Sequence, residues 1–192
     1  MDQPVRNPAN PQIHFEQTGP EIRRQFPRPP DAVFAAVSTG GTLAGIGRYF
    51  KIAWPAVRVV GVDLAGSGAF GGPPGRWQLN GIGSGLRSSF LRPAHYDDAV
   101  FVEDAEAVAA CYALRQQLGM ALGGSSGAVV AGCLRYLAQH PEITEVVCLC
   151  PDGGERYGQT IYDEAWLARH DLDVAAAAGR LQLDITDIVG FG

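Results

Sequence analysis

Ala32-Val33-Phe34-Ala35-Ala36-Val37-Ser38-Thr39-Gly40-Gly41-Thr42-Leu43-Ala44-Gly45-Ile46 is the stretch that decides the fold class. Its first six residues are a short apolar run, as expected of a strand covered on both faces. Two glycines and three hydroxyl residues follow at once. Leu43, Ile46, Tyr49 and Phe50 then recur near one face of a helix over residues 43–53, which Pro55 closes. Strand, glycine-rich turn and helix together open an α/β unit. The pattern repeats downstream. Residues 57–62, 99–102 and 145–150 read as further strands. Helices are expected over 105–118, capped by Asp104 and ended by Gly119, then over 127–139 and 160–170. Strands alternate with helices, so the expected fold is α/β, a mostly parallel sheet with flanking helices.

Working outward, residues 1–30 read as an irregular lead-in, with a short helix start at Thr18-Gly19-Pro20-Glu21-Ile22. Residues 31–170 form the α/β domain and 171–192 a tail. The stretch 64–95 is rich in glycine and proline, and a loop that long inside a domain is usually functional. The 192 residues are 46% hydrophobic and carry a net charge of −5, which excludes disorder as a description of the whole chain. An acidic chain without a basic run is a poor nucleic-acid binder, and no stretch reaches the roughly 20 apolar residues of a membrane span. Met1 to Asn10 is polar and proline-rich, unlike a signal peptide. Cys111, Cys133, Cys148 and Cys150 lie in apolar runs without metal-ligand spacing and read as reduced core residues of a cytoplasmic protein. The histidines have no such spacing either, so no metal site is expected.

Three glycine-rich turns fall at or near strand ends, where open α/β sheets bind ligands. In Ser38 to Thr42 the glycines let backbone N–H groups converge, the hydroxyls add donors, and the helix behind adds partial positive charge. The turn is either an anion cradle or a tight capped turn. It is not a nucleotide-hydrolase phosphate loop, since no lysine follows. Gly66-Ser67-Gly68-Ala69-Phe70-Gly71 spells a dinucleotide fingerprint, but Gly72-Pro73-Pro74-Gly75 stands where a helix should open. Gly123-Gly124-Ser125-Ser126-Gly127 spells a nucleophile elbow, with Asp163 and His170 in hydrolase order. Its plainer reading is a helix start capped by Ser125 or Ser126. Arg156 and Tyr157, after the fourth strand, suit either a structural role or a site wall.

Together these turns resemble the fold-type II pyridoxal-phosphate enzymes, in the cysteine synthase branch. The likeness rests on Asn7-Pro8-Ala9-Asn10-Pro11 with Thr18 to Ile22, on Ser38 to Thr42, on Gly81-Ile82-Gly83, on Gly124 to Gly127, and on Pro151-Asp152 with Gly154-Glu155-Arg156-Tyr157. It runs in collinear order over about residues 3–167. Val62 to Ser67, Phe70-Gly71 and Tyr162 to Leu167 further resemble the 2,3-diaminopropionate pathway sub-branch, which joins O-phosphoserine and glutamate into N-(2-amino-2-carboxyethyl)-glutamate.

The resemblance implies pyridoxal 5'-phosphate as cofactor. Ser38, Thr39, Gly40, Gly41 and Thr42 would hold its phosphate. Ser125 would meet the pyridine nitrogen, Asp152 would be a further cofactor-binding residue, and Gly81 and Gly83 would lie on the substrate side. The implied reaction is β-replacement on an activated serine, O-acetylserine or O-phosphoserine. In that family the first half of the chain supplies the Schiff-base lysine, and nothing here matches that half. Of the 15 basic residues only Lys51 is a lysine, and the rest are arginine. Nine residues of helix put Lys51 roughly 13 Å from the glycine turn, so it reads as a surface residue. No catalytic residue is therefore assigned. The expected partners are amino-acid substrates and either a lysine-bearing N-terminal half chain or further copies of this one. The rival is a non-catalytic module that binds the cofactor or a partner.

Overall fold

The computed structural model describes residues 7–73 and 75–181. Four strands, β1 (Ala32–Ala36), β2 (Arg58–Leu64), β3 (Asp98–Val102) and β4 (Val146–Leu149), form one sheet in the order β3-β2-β1-β4. Every pairing is parallel, with Ala32 opposite both Arg58 and Val146, and Val60 opposite Asp98. The helices are α1 (Ala9–Ile13), α2 (Gly19–Gln25), α3 (Gly41–Ala53), α4 (Asp104–Leu118), α5 (Gly124–Leu137), α6 (Glu164–Arg169) and α7 (Val174–Leu181). The α/β class with a parallel sheet is as expected.

Alternation along the strands assigns the two faces. Val33, Ala35, Val37 and Val59 point to α3 and pack with Leu43, Ile46 and Phe50. Phe34, Val60, Val62 and Leu64 point the other way, to Val108 and Cys111 of α4 and Val129 and Cys133 of α5. Phe34, Leu43, Ile46 and Phe50 are fully buried. Each such side chain contributes roughly 1.5–3 kcal/mol by leaving water. The chain leaves β1 through α3 on one face and leaves β4 toward α6 on the other. The ends of β1 and β4 therefore diverge, and a crevice opens between them, as at any such reversal of strand order.

Several expectations need correction. The lead-in is not irregular: α1, one π-helical turn over His14–Thr18, and α2 run without a break from Ala9 to Gln25. Pro11 falls in the first turn of α1, where no intrahelical N–H is lost, and Pro20 follows directly on the π-helical turn. Glu103, not Asp104, caps α4 through a capping box with Glu106, whose carboxylate accepts from the Glu103 N–H at 2.8 Å. The last predicted helix starts at Glu164 instead of residue 160, because Asp163 accepts from the Trp166 N–H at 2.6 Å. Cys111 and Cys133 are buried, but Cys148 is half-buried and Cys150 is exposed past the end of β4. Lys51 is half-buried rather than free on the surface, held to Asp97 at 2.6 Å. The polar opening before Asn7 and the apolar-acidic end beyond Leu181 lie outside the described residues. Among the described residues no helix is long and apolar enough to cross a membrane.

Candidate functional site

The loop between β2 and β3 folds back over the sheet edge, tied by hydrogen bonds. The Asp104 carboxylate, freed from capping, accepts from the N–H groups of Gln78 (3.0 Å) and Leu79 (3.1 Å). Gly83 N–H donates to Val37 O at 2.8 Å, and Ser38 Oγ donates to Gly83 O at 3.0 Å. Gly81 and Gly83 both sit at φ +84°, in the left-handed region that disfavours side chains. The tight turn they make sets Gly81 against Ser125, where a Cβ on the glycine would lie 3.9 Å from Ser125 Oγ.

Ser38 to Thr42 turns from the end of β1 into α3. Gly40, at φ +82°, is the residue before the helix, and it offers no side chain to cap it. The first N–H groups of a helix lack partners within it. Ala44 N–H finds Gly40 O at 3.0 Å, which leaves Gly41, Thr42 and Leu43. The turn is clamped from two sides. Ser88 Oγ donates to Thr39 O at 2.5 Å, and Asn10 Nδ2 donates to Thr39 Oγ1 at 3.2 Å. Gly41 lies so close to the Asn10 side chain that a Cβ there would collide with it. Thr42 Oγ1 meets His14 Nε2 at 3.1 Å. Burial lowers the pKa of His14, so its ring is neutral at pH 7. A cavity of about 210 Å³ opens here, lined by Ser38, Thr39, Gly40, Thr42, Gly81 and the β4 end at Leu149. Backbone donors, oriented hydroxyls and a helix N-terminus in one concavity suit an anion.

The second turn is built differently. Ser125 Oγ donates to Asp152 Oδ1 at 3.2 Å, and Ser126 Oγ reaches the same oxygen at 3.4 Å. Tyr157 OH donates to Asp152 Oδ2, and Gly123 N–H donates to Asp152 O at 3.2 Å. A Cβ on Gly123 would collide with the Asp152 carboxylate. The hydrogen bond to Asp152, aided by burial, pushes the Tyr157 phenol up to about 12. Tyr157 therefore stays protonated and keeps donating.

The structure thus brings Ser38 to Thr42, Gly81, Gly83, Ser125 and Asp152 to one edge of the sheet. No triad forms at the elbow-like turn: Asp163 caps α6, and His170 Nδ1 lies 2.7 Å from Trp166 O. Among the described residues no helix opens directly after Gly66 to Gly71. Arg156 is exposed, while Tyr157 belongs to the Asp152 cluster. Sequence reasoning missed Asn10, His14 and Ser88 as the clamps on the turn. Asn10 lies in a quoted motif, but spacing alone does not say what its amide holds.

Residues 2–152 match the family described as pyridoxal-phosphate dependent enzyme. The chain is 44% identical over 163 residues to the N-(2-amino-2-carboxyethyl)-L-glutamate synthase of Ralstonia nicotianae, covering 85% of this chain and 48% of that protein. It is 34% identical over 160 residues to a cysteine synthase of Staphylococcus aureus, covering 82% and 52%. The crystal structure of an O-acetylserine dependent cystathionine beta-synthase from Helicobacter pylori superposes with a TM-score of 0.77 at 32% identity, covering 83% of this chain and 52% of that one. The chain spans about half the length of the curated relatives it matches.

Proposed function

Since this chain belongs to the pyridoxal-phosphate dependent enzymes, we propose that it forms the phosphate-holding part of a cysteine-synthase-like enzyme, with residues 31–170 as the working domain. The observation that carries the reading is the uncapped first turn of α3, open to the cavity between the ends of β1 and β4. The cofactor, pyridoxal 5'-phosphate, supplies a dianionic phosphate and a ring that draws electrons from an attached amino acid. The residues present fit its phosphate. The donors of Gly41, Thr42 and Leu43 lack helical partners, and Thr39 accepts from Asn10 with its own proton left to donate.

Each residue has a defined task in this reading. Ser38 to Thr42 bind the phosphate through backbone N–H groups and hydroxyls. Ser125, whose hydroxyl donates to Asp152, would turn that single proton to the ring nitrogen. A hydroxyl there, unlike a carboxylate, leaves that nitrogen unprotonated, which suits replacement at the β-carbon. Gly81 and Gly83 keep the substrate side free of side chains. The substrate is an activated serine, O-acetylserine or O-phosphoserine. Its leaving group departs with the bonding pair and a nucleophile takes its place. Identity of 44% to the glutamate-joining synthase, against 34% to the cysteine synthase, supports the 2,3-diaminopropionate sub-branch.

Lys51 is committed to Asp97, so the reactive amine comes from a lysine-bearing counterpart. That counterpart takes the part of the other half of the relatives. Self-association of this chain is the alternative assembly. Pyridoxal phosphate added to this chain alone should raise its melting temperature, without the absorbance change that bonding to a lysine produces. β-Replacement activity should appear only with the counterpart. A lysine-type spectrum from this chain alone would overturn the assignment of Lys51. Cofactor binding with no activity and no sedimenting complex in the counterpart's presence would instead favour the non-catalytic module.

A further inference from the structure

A cavity of about 540 Å³ lies between α1, α3 and the turn at residues 89–95. It shares no lining residue with the cavity at the strand ends. Arg48, Arg92, His95, Gln12 and Ser89 form its polar lining, with Phe90 beside them. Its walls are fixed by backbone contact. Gly45 lies against the Pro11 carbonyl and Gly47 against the His95 carbonyl, each so close that a Cβ would overlap the oxygen. The cavity cannot close by a small adjustment, because its three walls already touch through their backbones.

The charges inside it are unbalanced. The Arg48 guanidinium lies over the Phe15 ring, 4.7 Å from its centroid, and donates to Gln12 Oε1 at 3.4 Å. Both contacts orient the group and neither neutralises it. Among the described residues, neither Arg48 nor Arg92 has a carboxylate within salt-bridge distance. His95 Nδ1 is buried without a hydrogen bond of ordinary geometry. In a chain of net charge −5, two unpaired guanidiniums on one cavity are not a by-product of a basic composition. Guanidinium groups are forks of donors that match the oxygens of phosphate and carboxylate.

We propose that this cavity is a second anion site, taking a phosphate group between Arg48 and Arg92 with His95 as an additional hydrogen-bonding group. The site is joined to the glycine turn through one helix. Pro11 and Gln12 of α1 line the cavity, while Asn10 of α1 and His14, just after it, hold Thr39 and Thr42. An anion that braces α1 from one side braces the turn from the other, and any such coupling is reciprocal.

Burial lowers the pKa of His95, its contact with the Phe90 backbone opposes this, and the nearby Arg48 and Arg92 charges lower it further. A bound dianion offsets those two charges, so His95 reports on the site, while His14 reports on the glycine turn. The experiment is a titration of the full chain, with ¹³C-labelled histidine rings, against inorganic phosphate and separately against O-phosphoserine. The expected result is a saturable shift of the His95 signals with a raised His95 pKa. Arg92→Gln, at an exposed position, should weaken it about tenfold, as loss of a charged hydrogen-bonding partner would. Arg48→Gln with Arg92→Gln should abolish it. Tighter binding of O-phosphoserine identifies an organic phosphate as the ligand, and equal or tighter binding of inorganic phosphate identifies the free ion. A shift confined to His14, or a His95 shift that survives the double substitution, overturns the proposal. So does a His95 shift that follows protein concentration without added anion, which would mean a second copy fills the cavity.

Discussion

The first turns of α3 and α5 lie at the same edge of the sheet and are written in the same letters, glycines and hydroxyls. Their environments are opposite. Over α5 the chain has set its own anion: the Asp152 carboxylate takes hydrogen bonds from Ser125, Ser126 and Tyr157 and lies against Gly123. Neither helix has a side-chain cap, but over α3 the turn is held by Asn10, Ser88 and His14, none of them a carboxylate. A helix start whose serine hydroxyls are taken up by a carboxylate of the same chain has fewer groups to offer. One whose neighbours bring no carboxylate is available to a ligand.

The largest expected effect tests the α5 end. Asp152→Ala leaves Ser125, Ser126 and Tyr157 without their acceptor and should cost about 3 kcal/mol, since hydrogen bonds to a charged group are each worth roughly 1.5–3 kcal/mol and do not add fully. Urea unfolding measures it, and a loss below about 1 kcal/mol would mean that the carboxylate is no anchor. The α3 end comes next. At 100 times its dissociation constant, pyridoxal phosphate should stabilise the chain by about 2.7 kcal/mol. Gly41→Val, which drives a side chain into Asn10, should remove that ligand-dependent gain in a thermal melt. If the gain survives, the anion is not at α3.

A third carboxyl sharpens the contrast because it lacks such donors. Asp63, near the end of β2, is fully buried, with Oδ1 accepting from the Leu64 N–H at 2.8 Å and Oδ2 unpartnered. Burial raises its pKa to about 6, against the Leu64 N–H and the nearby Ser67 hydroxyl, which lower it. The folded chain therefore holds this proton more tightly than the unfolded chain, where the pKa is about 3.8. The stability Asp63 confers is full below pH 4 and is lost as pH rises through 6. The span is roughly 3 kcal/mol. Asp63→Asn should flatten this part of a stability-versus-pH curve, and an unchanged slope would assign it to another group. The smallest effect separates neighbours. Ser125→Ala should weaken cofactor binding in the reconstituted enzyme by about 1 kcal/mol, one neutral hydrogen bond. A larger loss from Ser126→Ala would make Ser126 the ring-facing serine.

The α/β class was legible because strands buried on both faces are continuous apolar runs, and Ala32 to Val37 is one. The three glycine-rich turns at the strand ends were legible because glycine and hydroxyl residues cluster where a backbone must bend and donate. The helical lead-in was not. Pro8 and Pro11 read as turn residues, and only the seating of α1 on α3 shows that Pro11 occupies a first turn of helix. The cap of α4 was assigned to Asp104 because Asp and Glu are adjacent, and the choice depends on the loop at 77–80 drawing Asp104 away.

By itself the sequence determined which residues could be strand, turn and helix, and that one lysine served the whole chain. Those follow from local covalent and steric preference and from composition. Only the tertiary structure decided that Asp152 holds the serines at one helix start, that Asn10 and Ser88 hold the other turn, and that Lys51 is bound to Asp97. Asp152 lies 27 residues from Ser125, Asn10 lies 29 from Thr39, and Asp97 lies 46 from Lys51. Groups so far apart along the chain meet through the packing of the sheet and its helices, which no local propensity encodes.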